Sequence, residues 1–215
     1  VRELADAIAV LRNATAPLII AGGGVLYSEA EKEVAALALA TGIPVAETQA
    51  GKGTLRYDHP SALGAIGVTG TEAANRAARE ADVVIAIGTR LQDFTTGSRT
   101  LLRRDARLIQ VNVTLHDVAK HDAIPVLGDA RTVVEALVDA LAGWQIPEAW
   151  REANREAIAQ WRTTVEGVTA TGPLPLTDAQ VIGAVQRAAG PDALILCAAG
   201  GLPGALHKLW DASPG

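Results

Sequence analysis

The chain has 215 residues, 49% of them apolar but only 3% aromatic, and carries a formal net charge of −5. Acids and bases are interspersed without a Lys/Arg run, no apolar run approaches the roughly 18 residues of a membrane span, and no signal-peptide pattern opens the chain; nucleic acid and membrane are excluded as partners, and a cytoplasmic protein is expected. The one cysteine, Cys197, rules out an internal disulfide framework and fits a reducing compartment.

Short runs rich in Val and Ile alternate with helical patterns. Strands are expected at 17–22, 43–48, 82–88, 107–113 and 124–129, with a weaker sixth at 63–67. These are continuous apolar runs rather than alternating ones, as in strands covered on both faces. Helices are expected over 28–40, 71–81 and 130–141, with Thr71 and Asp129 as caps. Such alternation argues for a doubly wound, mainly parallel six-stranded α/β sheet, complete by about residue 143.

From there the pattern changes. Residues 143–167 are polar and include Trp144, Trp150 and Trp161, which reads as a linker helix anchored by its indoles. The stretch "TGPLPL" is a proline-rich break, and a helix capped by Thr177 or Asp178 follows. The run "DALILCAAGGLPGALHKLW" then reads as a second strand–glycine–helix unit, with Cys197 buried and inert in its strand. The expected organisation is a Rossmann-like domain over 1–143, a linker over 144–176 and the start of a further α/β domain over 177–215. The absence of Met, an opening in mid-helix and a close on "SPG" read as a piece of a longer protein.

The glycine triplet Gly22–Gly24 follows the first strand. A dinucleotide fingerprint needs a third small residue where this chain has Tyr27, although Glu47 stands near the place of a ribose-binding acid. A strand-to-helix corner needs glycine with or without a ligand. Further glycine-rich loops, 47–55, 64–70 and 88–98, also follow strands and would share the C-terminal edge of a parallel sheet. Lys52 and Arg90 could add charge there for an anion; the competing readings are a solvated Lys52 and a local Arg90–Asp93 pair. His116, Asp117, His121 and Asp122 lack a convincing metal-ligand spacing and read as solvated or capping groups. Asp58–His59 before Pro60 reads as turn chemistry.

In order, "IIAGGGV", "GAIGVTGTEAAN" and "ADVVIAIGTRLQDFTTGS" resemble the central domain of thiamin-diphosphate-dependent enzymes. Within that superfamily "ETQAGKGTLRYDHP", "DVAKHDAIPVLGDAR", "LTDAQVIGAV" and "CAAGGLPGALHKLW" are similar to the trihydroxycyclohexane-1,2-dione hydrolases of myo-inositol catabolism. The resemblance runs over almost the whole chain.

It implies an enzyme of three domains using thiamin diphosphate and magnesium. The cofactor-activating glutamate would lie in an N-terminal domain, usually across a subunit interface of a dimer or tetramer, and the metal motif in a C-terminal domain. Neither is found here: Gly128–Asp129 lacks the glycine that would complete such a motif. The chain alone is therefore expected to be inactive, with its own missing domains as partners. The implied reaction is hydrolysis of a C–C bond in a cyclic 1,2-diketone, the thiazolium serving as electron sink.

Carried over residue by residue, Gly200, Gly201 and Leu202 match the turn that touches the diphosphate, although Ala199 and Pro203 stand where relatives often have an acid and a histidine. In acetohydroxyacid synthase the central loops hold a flavin nucleotide, and in some relatives an adenine nucleotide. Their counterparts here are Gly22, Gly23, Gly24, Gly67, Thr69, Gly88 and Arg90. The implied net reaction involves no redox change, so FAD or ADP in this crevice would be structural or vestigial. The alternatives are an acetohydroxyacid synthase-like carboligase and, from another class, an NAD-binding Rossmann-like domain.

Overall fold

The computed structural model describes residues 2–190 and 193–212. The expected opening at Val1, Asp192 of the expected second-unit strand and the closing "SPG" lie outside the described residues.

Chain order gives α1 (Arg2–Arg12), β1 (Pro17–Ala21), α2 (Gly23–Tyr27), α3 (Glu31–Thr41), β2 (Val45–Glu47), β3 (Ala62–Ala65), α4 (Glu72–Glu80), β4 (Val83–Ile87), α5 (Asp93–Thr96) and β5 (Arg107–Asn112). Then come α6 (Leu115–Val118), β6 (Ile124–Leu127), α7 (Ala130–Ala140), α8 (Glu148–Thr169), α9 (Asp178–Ala188) and α10 (Gly201–Leu209). The six strands form one sheet in the order β3-β2-β1-β4-β5-β6, every pair parallel. After β3 the chain returns to the centre, so β1 and β4 become neighbours, with Leu18 beside Val84 and Ala21 beside Ile87. Every residue of these two strands is buried, which is why their sequences read as unbroken apolar runs.

Helices cover both faces. α4 turns Ala73, Ala74, Ala77 and Ala78 inward; with so few aromatic residues, close helix–sheet approach through alanine fills the core. Thr71 caps α4 by accepting from Ala74 N at 2.9 Å, and Asp129 caps α7 by accepting from the backbone of Arg131 and Thr132. The expected helix from residue 28 begins instead at Glu31. Gly23–Tyr27 forms a helical turn of its own, which closes where Ala30 N donates to Val25 O and Glu29 takes a left-handed φ of 50°.

α8 docks on the domain through its indoles, as the anchored helix was expected to. Trp150 is buried and its indole N–H donates to Pro17 O at 3.0 Å, while Trp144 and Trp161 pack partly buried against the core. α9 carries a capping box in which Thr177 and Gln180 satisfy each other's backbone N–H. α9 and α10 bury Ile182, His207 and Leu209. Between them residues 193–198 form no strand: Leu194 and Leu196 are 85% and 87% exposed, and Cys197 is exposed rather than buried. A strand needs a neighbour for its backbone groups, and among the described residues none pairs with this segment.

Candidate functional site

The chain reverses its winding between β1 and β4, and a crevice of about 830 Å³ opens there, outside the C-terminal strand ends. The loop after β1 and the loop after β4 form its floor. Gly22 N donates to Ile87 O at 2.8 Å and Gly24 N to Gly88 O at 2.9 Å. A Cβ on Gly22 would lie 2.5 Å from Gly88 O, and one on Gly24 would lie 2.6 Å from Gly88 Cα. The triplet thus brings two backbones into contact, and two of the N–H groups that a phosphate would use are spent within the floor: Gly24 on Gly88, and Val25 on Gly22 O.

Of the residues expected to contact a nucleotide, Gly23, Gly24, Gly88 and Arg90 line the crevice, and Gly22 lies beneath. Arg90 is exposed and forms no pair with Asp93 or any other acid among the described residues. It is the cation this crevice can present to an anion. Gly67 and Thr69 are committed elsewhere. Asn75 receives Gly67 N through Oδ1 at 3.0 Å and gives Nδ2 to Gly67 O at 2.9 Å, while Thr69 Oγ1 shares a 2.9 Å hydrogen bond with His207 Nδ1.

Glu47 and Lys52 face away from the crevice. Glu47 is buried and accepts from Leu55 N at 2.8 Å and Gly53 N at 3.3 Å, so its carboxylate holds the following loop rather than a ribose. Burial pushes that carboxyl up, opposed by these N–H donors and by Lys52. Lys52 lines a second, smaller cleft with Glu47.

Sequence reasoning did not single out Thr48, Gln49, Asn112 or His207, all of which line the crevice. His207 is 4% exposed, and its Nε2 has no hydrogen-bond partner. Burial, then the charge of Lys52, pushes its imidazole down to about 4, while the carbonyl of Thr48 works the other way. The tail residue that binds Thr69 is therefore neutral at pH 7.

Gly200, Gly201 and Leu202 lie apart from the crevice, at the exposed start of α10. Gly200 has a φ of +145°, and a Cβ on Gly200 or Gly201 would meet nothing closer than 3.8 Å. This turn fits a diphosphate through backbone N–H groups at a helix N-terminus. No group of acids, His or Cys among the described residues could hold a metal. That includes the 116–122 cluster, where Asp117 instead pairs with Lys120 at 2.6 Å. His59 Nδ1 accepts from Ser61 N at 3.1 Å, the expected turn role.

A doubly wound parallel sheet with a switch-point crevice defines a Rossmann-like α/β class. Residues 4–137 match the family described as thiamine pyrophosphate enzyme, central domain, and the chain belongs to that family. It is similar to proteins named 3D-(3,5/4)-trihydroxycyclohexane-1,2-dione hydrolase from Listeria monocytogenes serovar 1/2a (35% identity over 98% of this chain and 37% of the relative), Geobacillus thermodenitrificans (39%, 95% and 35%) and Shouchella clausii (37%, 99% and 37%). The chain thus spans little more than a third of the length of these relatives. No described helix is long and apolar enough to cross a membrane.

Proposed function

We propose that this chain is the central part of a thiamin-diphosphate-dependent hydrolase that opens a cyclic 1,2-diketone of the trihydroxycyclohexane-1,2-dione type by cleaving a C–C bond. The observation that carries this reading is the extent of the similarity. At 35–39% identity it covers 95–99% of the chain, including the tail well beyond the family match at residue 137.

Thiamin diphosphate supplies the electron sink for C–C cleavage when bound. Gly200, Gly201 and Leu202 would give its diphosphate backbone donors at the start of α10. The doubly wound domain holds that turn through α8 and α9, and it would pack between the domains that supply the activating glutamate and the magnesium ligands. The whole enzyme would be a cytoplasmic homodimer or tetramer. The crevice at the β1–β4 switch is a corner inherited from a nucleotide site, with Arg90 as its remaining anion partner.

The test is an assay of the complete polypeptide containing this chain, supplied with thiamin diphosphate and magnesium. Ring-opening of trihydroxycyclohexane-1,2-dione to 5-deoxyglucuronic acid is the expected result. Formation of acetolactate from pyruvate, with tightly held flavin, would replace the reading with a carboligase. Stabilisation of the chain by NAD alone would overturn both.

A further inference from the structure

A second cleft, of about 350 Å³, opens where the 52–58 loop, β3, α8 and the C-terminal segment meet, with Tyr57, Trp161 and Trp210 in its walls. Lys52 reaches into it from the turn after β2. The side chain is partly buried, and its ammonium makes no hydrogen bond or ion pair with any described residue. The nearest acids do not close on it: Glu47 spends its oxygens on Leu55 N and Gly53 N, and Asp211 acts on it only through space. A partly buried amine without a direct counter-ion, open to a cavity with aromatic walls, is the environment of a nucleophilic lysine.

We propose that Lys52 is a reactive amine and that this cleft admits a small uncharged aldehyde or ketone, which forms a Schiff base with it. The amine nitrogen adds to the carbonyl carbon, and the former carbonyl oxygen takes up two protons and leaves as water. The C=N bond replaces C=O, with no oxidant or reductant. Both protons come from the amine itself, carried to the oxygen by water in the open cleft. The aromatic walls take the carbon skeleton, and Glu47 and Asp211, in excess once Lys52 is a free amine, disfavour an anionic carbonyl compound.

Burial holds Lys52 below the ordinary lysine range, and Glu47 and Asp211 limit the depression. His207, on the α10 side, is close enough to feel the Lys52 charge and is neutral at pH 7. The remaining charges lining the cleft balance, Arg162 and Lys208 against Asp58 and Glu166.

The chain contains four lysines, Lys32, Lys52, Lys120 and Lys208, so each can be followed separately. Folded chain is treated with propanal and cyanoborohydride at pH 7, and peptide mass spectrometry gives the alkylation rate at each. Lys52 is expected to react faster than the exposed Lys32, because burial leaves more of it as free amine at pH 7. Asp211→Asn removes a carboxylate that favours the ammonium, so it should speed Lys52 further and leave Lys32 unchanged; Lys52→Arg should abolish the fast site. A wild-type Lys52 that reacts no faster than Lys32, with far-UV circular dichroism showing a folded chain, overturns the proposal.

Discussion

Gly22→Ala separates a glycine needed for packing from one needed for a ligand. Gly22 has φ −111° and ψ −177°, an extended conformation open to any residue, so the added methyl introduces no backbone strain. What it meets is the next loop: Gly88 O and Thr89 Cβ at 2.5 Å and Gly88 C at 2.8 Å. The carbon contacts lie about 0.7–1 Å inside the ~3.5 Å at which carbon atoms attract best. β1 and β4 are paired over five positions, so the loops cannot part without loosening Gly22 N–H···O Ile87 and Gly24 N–H···O Gly88. Overpacking costs about 1–3 kcal/mol and a weakened backbone hydrogen bond about 0.5–1.5 kcal/mol, which together give about 1.5–4.5 kcal/mol. With a urea slope of about 2–3 kcal/mol per molar, the unfolding midpoint should fall by about 0.5–2 M. Gly23→Ala is the control: its Cβ would stand 3.2 Å from Ala50, at the first position of α2, and stability should stay within about 1 kcal/mol of wild type. If Gly22→Ala unfolds at the wild-type urea concentration, the loops do not touch as described and the packing explanation of the triplet fails.

Trp150→Ala should cost about 3–5 kcal/mol in the same urea titration, since it empties a buried site and strips Pro17 O of its donor; Trp150→Phe should cost about 1–2 kcal/mol. Burial raises the Asp82 carboxyl, but donors from Thr15 Oγ1, Thr15 N and Ala16 N outweigh it and hold the group below the usual aspartate value. That stability is present above about pH 4 and is lost as pH falls through the depressed folded value, so the gap between wild type and Asp82→Asn should be open at pH 7 and narrowed at pH 3. His207 runs the other way in protonation: neutral in the fold down to about 4, it disfavours the folded state as pH drops from about 6.5, where the unfolded chain takes up a proton. Amide exchange in α10, corrected for its intrinsic pH dependence, should be faster at pH 5 than at pH 7.5, and His207→Gln should flatten the difference.

The sheet was legible because a parallel strand buried on both faces leaves an unbroken apolar run, as at Leu18–Ile20 and Val83–Ile87. Thr71, Asp129 and Thr177 were legible as caps because each hydroxyl or carboxylate serves donors only two or three residues ahead. The misreadings concern distance and direction. Nothing local tells Lys52 and Glu47 to face away from the crevice, because that choice depends on α8 and the C-terminal segment enclosing the second cleft. Thr69 and His207 meet across 138 positions of sequence. The "ALILCA" run has strand composition, but a strand exists only where another supplies the ladder.

That same run sets how the chain behaves in concentrated solution. Residues 193–198 contain no charge and no proline, and Leu194 and Leu196 stand almost fully in water, so they offer the features that let extended segments of separate molecules zip together. What keeps molecules apart is mutual repulsion from the net charge of −5. Salt screens that repulsion within about 8–10 Å, and acid near the sequence pI of about 5.4 cancels it as histidines and the first carboxylates take up protons. Colloidal stability of this chain is therefore tied to pH and ionic strength through one six-residue segment, independently of how firmly the sheet itself is folded.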